Sequence, residues 1–408
     1  MSALGRCSRA HVVGCVCLAI IIVACGTCIF VALLAHRRPA TTCPARVPLI
    51  LGTDVDVDDI QAISYLLQSD VYDIKAIVVE NDGWSSQWDN VVNVMRLTQR
   101  FGKPKTPVVY GPTAGETLLN NNYLNAGLPP TRYLPNSFLI DYVPLPFEVR
   151  PPAWQSAAQI INEILAVNAG CTTLIALGPL TSFAAALHRD ADVFRRGVRS
   201  LVISGGSFAG NASTLLEAQQ AAIAAALTNP AGGFPFGQPD DSSSSGEFRG
   251  GSWNIYADPH AASEVLASGL QGVVFVSSGA QKNLPTAADQ QSFIPSGVDC
   301  PAANFSVAAL EQAPVSSGQS FADIFWWDES AAVVAEQLER TRGGSKGTRP
   351  PDVCTNWVDA KVLVDLRNGG TFSWTEVSPF GASARICLDA SLTAFLVAYW
   401  PVAAGCRL

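Results

Sequence analysis

Basic residues are scarce in this chain. Lysine and arginine together number 26 in 408 residues, against 34 aspartates and glutamates, for a net charge of −8. No basic run lies in the body of the sequence, so a nucleic-acid backbone is excluded as partner, because phosphate binding needs basic patches. Zinc spacing is missing too. Cys43, Cys171, Cys300, Cys354, Cys387 and Cys406 form no CxxC or Cys/His pattern, which argues against a zinc site. Histidine is rare, and only His188 and His260 fall in the body. No internal repeat is visible.

What the chain has is apolar residues, 48% of the total, enough core for one large or two smaller domains. Residues 1–11 read as a short tail. Residues 12–35 carry no charge and are long enough to span a bilayer as a helix. This length favours an uncleaved signal anchor over a cleaved signal peptide. The basic flanks, Arg6 and Arg9 before and His36, Arg37 and Arg38 after, are nearly balanced and fix no orientation. Residues 36–46 read as a linker and 47–408 as the folded domain. Six scattered cysteines and the sequon Asn304-Phe305-Ser306 fit a membrane-anchored protein whose body is lumenal or extracellular, or a secreted one if the anchor is removed.

Short apolar runs alternate with helical patterns. Strands are predicted at Val47–Leu51, Ile74–Val79, Thr106–Tyr110, Thr172–Leu177, Val198–Ile203, Gly272–Val276 and Lys361–Asp365. Helices are predicted at Trp88–Phe101, Ala153–Asn168, Thr181–His188 and Pro259–Ala267. The expected fold is α/β, a mostly parallel open sheet with helices on both faces. Residues 212–251, rich in Ala, Ser, Gly and Pro, read as a low-complexity insertion.

The strongest chemical signal is Leu49-Ile50-Leu51-Gly52-Thr53-Asp54-Val55-Asp56-Val57-Asp58-Asp59. Four carboxylates crowd the end of an apolar strand, where like charges repel unless a cation joins them. Oxygen donors at this density suit Ca²⁺ or Mg²⁺. An EF-hand starting at Asp54 needs Gly at its sixth position and Glu at its twelfth; Asp59 and Tyr65 stand there, so that reading fails. An aspartyl-nucleophile phosphatase also starts with strand and Asp-x-Asp, and a solvated acidic turn capping a helix needs one Asp rather than four. Asp58 and Asp59 would open a helix, whose N-terminus favours negative charge.

Four motifs in order resemble the calcium-dependent nucleoside hydrolases, in particular the purine-preferring and the plant-like secreted branches. They are Asp54 to Asp59; Ala176-Leu177-Gly178-Pro179-Leu180-Thr181-Ser182; Ser204-Gly205-Gly206 to Asn211, resuming at Trp253-Asn254-Ile255-Tyr256-Ala257-Asp258-Pro259; and Trp326-Trp327-Asp328. The resemblance implies hydrolysis of the N-glycosidic bond of a purine ribonucleoside to base and ribose, with a Ca²⁺-bound water activated by Asp54. By the same resemblance Asp54, Asp59 and Asp328 hold Ca²⁺ together with the Leu177 carbonyl. Asp58, Asp82 (or Asn81 if the alignment slips by one), Asn211 and Asn254 contact the ribose. Breaking such a bond develops positive charge at C1′, which explains the anionic oxygens.

Leaving-group chemistry separates the subclasses. Where many members carry a His just before the last aspartate, this chain has Trp327, and Trp327 and Trp253 are the expected walls of a purine pocket. The alternative for each is ordinary core packing. Asp56 stands where Gly or Asn is usual, and Ser252 where a Glu gripping the 5′-hydroxyl is usual; Glu247 in the insertion is a candidate replacement. Two other readings stand beside the hydrolase: a non-catalytic sugar- or nucleoside-binding ectodomain, and a hydrolase of another ribosyl substrate. A homo-oligomer is compatible with each.

Overall fold

The computed structural model describes residues 43–55, 57–80, 87–112, 156–208, 217, 252–281, 326–342, 352–364, 366 and 375–403. The predicted anchor and linker up to residue 42, Asp56, Asn81, Asp82, Asn211, Glu247 and the sequon at Asn304 lie outside them. Among the described residues no helix is long and apolar enough to cross a membrane.

A nine-stranded sheet organises these residues. Its strands are β1 (Val47–Thr53), β2 (Tyr72–Val79), β3 (Val108–Tyr110), β4 (Thr172–Ala176), β5 (Val198–Ser204), β6 (Val273–Val276), β7 (Cys354–Val364), β8 (Thr375–Val377) and β9 (Ala382–Ala390). Their spatial order is β3-β2-β1-β4-β5-β6-β9-β7-β8. All pairs from β3 across to β9 are parallel, and β7 runs antiparallel to both β9 and β8. Strands buried on both faces read as unbroken apolar runs, and β1 is buried at all seven positions.

Successive residues of a strand point to opposite faces, so the sheet divides the core in two. Leu49, Leu51, Ile77 and Val79 pack with α1 (Val57–Gln68), α2 (Gln87–Arg100), α8 (Trp327–Arg342) and α9 (Leu392–Ala403). Ile50, Ala76, Val78 and Leu174 face the other way. They meet α3 (Ala157–Val167), α4 (Thr181–Arg189), α5 (Ala191–Gly197) and α7 (Pro259–Ala267), with the single-turn α6 (Trp253–Ala257) ahead of α7.

The predicted strands are all present. Two more, β8 and β9, were not foreseen, and β7 begins seven residues ahead of its predicted start. The pattern hides β9 because it inserts between β6 and β7: its exposed Ser383 and Arg385 alternate with buried Ala384 and Ile386, a half-covered strand rather than an apolar run. Disulfides join Cys43 to Cys171, ahead of β1 and β4, and Cys354 to Cys387, across the β7–β9 pair.

Candidate metal and substrate site

From β1 the chain passes to β2 and β3 on one side and then returns to β4 on the other, so the order reverses at β1. In open α/β sheets ligands bind where that reversal opens a crevice beyond the carboxyl ends of the strands. Asp54 follows the last residue of β1, and Leu177 follows the last residue of β4. The two ends are drawn together: Leu177 N–H donates to the Gly52 carbonyl at 2.8 Å. Gly178 permits this approach, since a Cβ there would sit 2.8 Å from the Asp54 nitrogen.

Asp58 and Asp59 open α1 and Asp328 opens α8, so two helix N-termini aim at one region. Oxygens of Asp58, Asp59 and Asp328 lie within 4.8 Å of one another, and all three residues are buried. Asp328 shares the position of the others through tertiary contact alone. Trp326, one residue before α8, is 1% exposed and meets Tyr399 and Phe395 edge-on at 5.2 and 5.9 Å between ring centroids. The far end of α8 is tied down by Glu339, which accepts from Thr173 Oγ1 at 2.9 Å and pairs with Arg199 at 3.2 Å. Burial pushes the Asp328 carboxyl well above its usual range, and the charges of Asp59, Asp58 and Asp54 push the same way.

The turn between β1 and α1 is strained. Val55 has φ of +59°, a left-handed conformation that a β-branched residue resists by about 1–3 kcal/mol. Neighbouring groups hold it there. Thr53 Oγ1 accepts the Val55 N–H at 3.1 Å and donates to Asp59 Oδ1, while Asn90 Nδ2 donates to the Asp54 carbonyl at 3.1 Å.

On the opposite wall, Asn254 Nδ2 donates to the carbonyls of Leu177 and Ser204, the second at 3.2 Å. Asn254, expected at the ribose, therefore also holds the carbonyl expected at the cation. Ser252 is buried against Gly205, whose φ of +114° no side chain favours and where a Cβ would lie 2.0 Å from Ser252 Oγ. Trp253 and Trp327, first residues of α6 and α8, are each half-buried. Gln281 Nε2 donates to the Trp327 carbonyl at 2.9 Å and to Ser204 Oγ at 2.7 Å. Asp258 caps α7 through the Ala261 N–H and accepts from Thr181 Oγ1 at 2.8 Å.

Of the expected residues, the structure brings together Asp58, Asp59 and Asp328, with Asp54 near enough for its charge to act on Asp328 and Leu177 against the backbone at the end of β1. The mutually close trio includes Asp58 rather than Asp54. Sequence reasoning passed over Thr53, Asn90, Gln281 and Glu80. Glu80, 1% exposed, directly follows β2 and accepts from Ser182 Oγ at 2.8 Å. Its signal was available: like Asp54, it is a carboxylate ending an apolar strand.

Fold and site together define a doubly wound α/β protein with a buried all-oxygen donor set at its switch point. Residues 49–396 match the model of the inosine-uridine preferring nucleoside hydrolases, and the chain belongs to that family. Uridine nucleosidase 1 of Arabidopsis thaliana is 29% identical over 224 residues, 54% of this chain and 53% of that protein. Probable uridine nucleosidase 1 of Oryza sativa subsp. japonica is 26% identical over 227 residues, 55% of this chain and 56% of that protein. The match thus spans about half the length of these curated relatives. Among solved structures, a plant nucleoside hydrolase superposes with a TM-score of 0.62 at 17% identity, covering 88% of this chain and 99% of that one. The inosine-uridine preferring nucleoside hydrolase from Bacillus anthracis gives 0.61 at 17% identity, with 88% and 99% covered. At such identities the likeness is one of fold.

Proposed function

We propose that this protein hydrolyses the N-glycosidic bond of ribonucleosides, releasing free base and ribose. The observation that supports it is the convergence of Asp58 and Asp59 from α1 with Asp328 from α8, buried at the switch point beside Asp54. The donor set fits a hard divalent cation, for which calcium is our assignment: it is all oxygen, and burial of mutually repelling carboxylates favours a positive partner. When bound, such a cation supplies Lewis acidity, orienting ribose hydroxyls and easing loss of a proton from water. The remaining work falls to the chain. Asp54 takes the proton of the attacking water, Asp58 holds ribose hydroxyls, and the carboxylates together stabilise positive charge growing at C1′. Asp82 and Asn211 complete the ribose contacts in this reading, and the Leu177 carbonyl joins Asp54, Asp59 and Asp328 around the cation.

Trp327 stands where a general acid would serve the base, so in this reading Trp327 and Trp253 stack on the departing base and solvent supplies its proton. Stacking on an indole favours a purine, and that is the preference we assign. The names of the curated relatives favour a second reading, uridine. Disulfides Cys43–Cys171 and Cys354–Cys387 support a body in an oxidising compartment, lumenal or extracellular, anchored by residues 12–35.

The test is release of free ribose from inosine, uridine and ribosylnicotinamide by the purified protein with calcium. Release from inosine above uridine is expected. Release from uridine alone overturns the purine assignment, release from ribosylnicotinamide alone indicates another ribosyl substrate, and release from none indicates a binding module.

A further inference from the structure

Thr53 is the last residue of β1 and is wholly buried. Its side chain is hydrogen-bonded on two sides of the acidic turn. Oγ1 accepts the N–H of Val55 at 3.1 Å and donates to Asp59 Oδ1. A hydroxyl carries a single proton, so donating it to Asp59 fixes that oxygen as an acceptor and sets the orientation of the carboxylate. The other bond sustains the left-handed Val55, which turns the chain from strand into helix and so aims Asp54 and Asp58 toward Asp328. Thr53 also has a purely structural tie, its carbonyl accepting the Glu80 N–H at 2.9 Å, but this belongs to the backbone and survives any change of side chain.

We propose that Thr53 is a positioning residue for the cation: its hydroxyl pre-sets Asp59 and the Val55 turn for binding. This rests on the reading of the carboxylate cluster as a cation site. Groups that orient metal-binding carboxylates change affinity by about 10- to 100-fold when removed.

The experiment is calcium titration of the purified full chain by calorimetry, with calcium alone as ligand. Thr53→Val keeps the shape and loses the hydroxyl; Thr53→Ser keeps the hydroxyl. Calcium affinity should fall about 10- to 100-fold in Thr53→Val and stay near that of the unaltered chain in Thr53→Ser. Urea midpoints in chelator report folding separately, and if Thr53→Val does not fold, Thr53→Ala compared with Thr53→Ser reads the same difference. An unchanged affinity in the folded Val or Ala variant overturns the proposal. So does a Ser variant as weak as the Val variant, because the hydroxyl would then not be the cause. An unaltered chain that binds no calcium removes the cation site and this role with it. Calcium binding without ribose release would instead remove only the hydrolase reading and leave Thr53 in place.

Discussion

Neutralising Asp328 should have opposite effects with and without calcium. Its carboxylate lies within 4.8 Å of those of Asp58 and Asp59. Two ionised groups at that separation repel by about 3 kcal/mol at an effective dielectric constant of about 20. Without a cation the upward-shifted Asp328 carboxyl relieves part of that repulsion by keeping its proton, so Asp328→Asn, which keeps the shape, should leave the chain at least as stable and at most about 3 kcal/mol more so. With calcium at about 100 times its dissociation constant, binding should stabilise the unaltered chain by about 2.7 kcal/mol. The variant, lacking one ligand from α8, should gain nothing. Urea unfolding followed by tryptophan fluorescence, in chelator and in excess calcium, measures both numbers. A variant that is less stable in chelator contradicts the electrostatic account, and one that gains as much from calcium as the unaltered chain removes Asp328 from the site.

Asp54→Asn should lower turnover by about 100- to 10,000-fold and leave the urea midpoint in chelator nearly unchanged; near-normal ribose release would remove Asp54 as base. Trp327→Ala should impair inosine more than uridine in steady-state ribose release, and equal losses on the two would argue against stacking. Asp258 gives a pH signature. Burial pushes its carboxyl up to about 6 from an ordinary 3.8, against the pull of the Ala261 N–H and the Thr181 hydroxyl. The folded state therefore binds this proton more tightly than the unfolded state. The associated stability is present below about pH 4 and fades as pH rises through about 6, by about 3 kcal/mol in all. Asp258→Asn should be free of that decline in unfolding curves between pH 4 and 7, and parallel pH profiles for the two proteins would refute it.

Much of the fold was legible because its signals are local. Apolar runs such as Val47–Thr53 and Val198–Ser204 become buried parallel strands, since a strand covered on both faces tolerates little else. The helix at Pro259–Ala267 has its predicted bounds because Asp258 caps it and Pro259 fits its first position. Strand β9 and the aromatic group around Trp326 escaped because their patterns have meaning only beside a neighbour: Ile386 is covered by Phe275 and Val358 from the flanking strands, and Trp326 by α9.

The sequence by itself determined that a carboxylate cluster ends the first strand and opens a helix, because a cap and an apolar run are written within a dozen residues. Only the tertiary structure decided that α8 brings Asp328 to within 4.8 Å of Asp58 and Asp59, and that Thr53 and Asn90 hold the turn between them. Such meetings depend on strand order and on aromatic packing at the start of α8, and neither is encoded by residues adjacent in the chain.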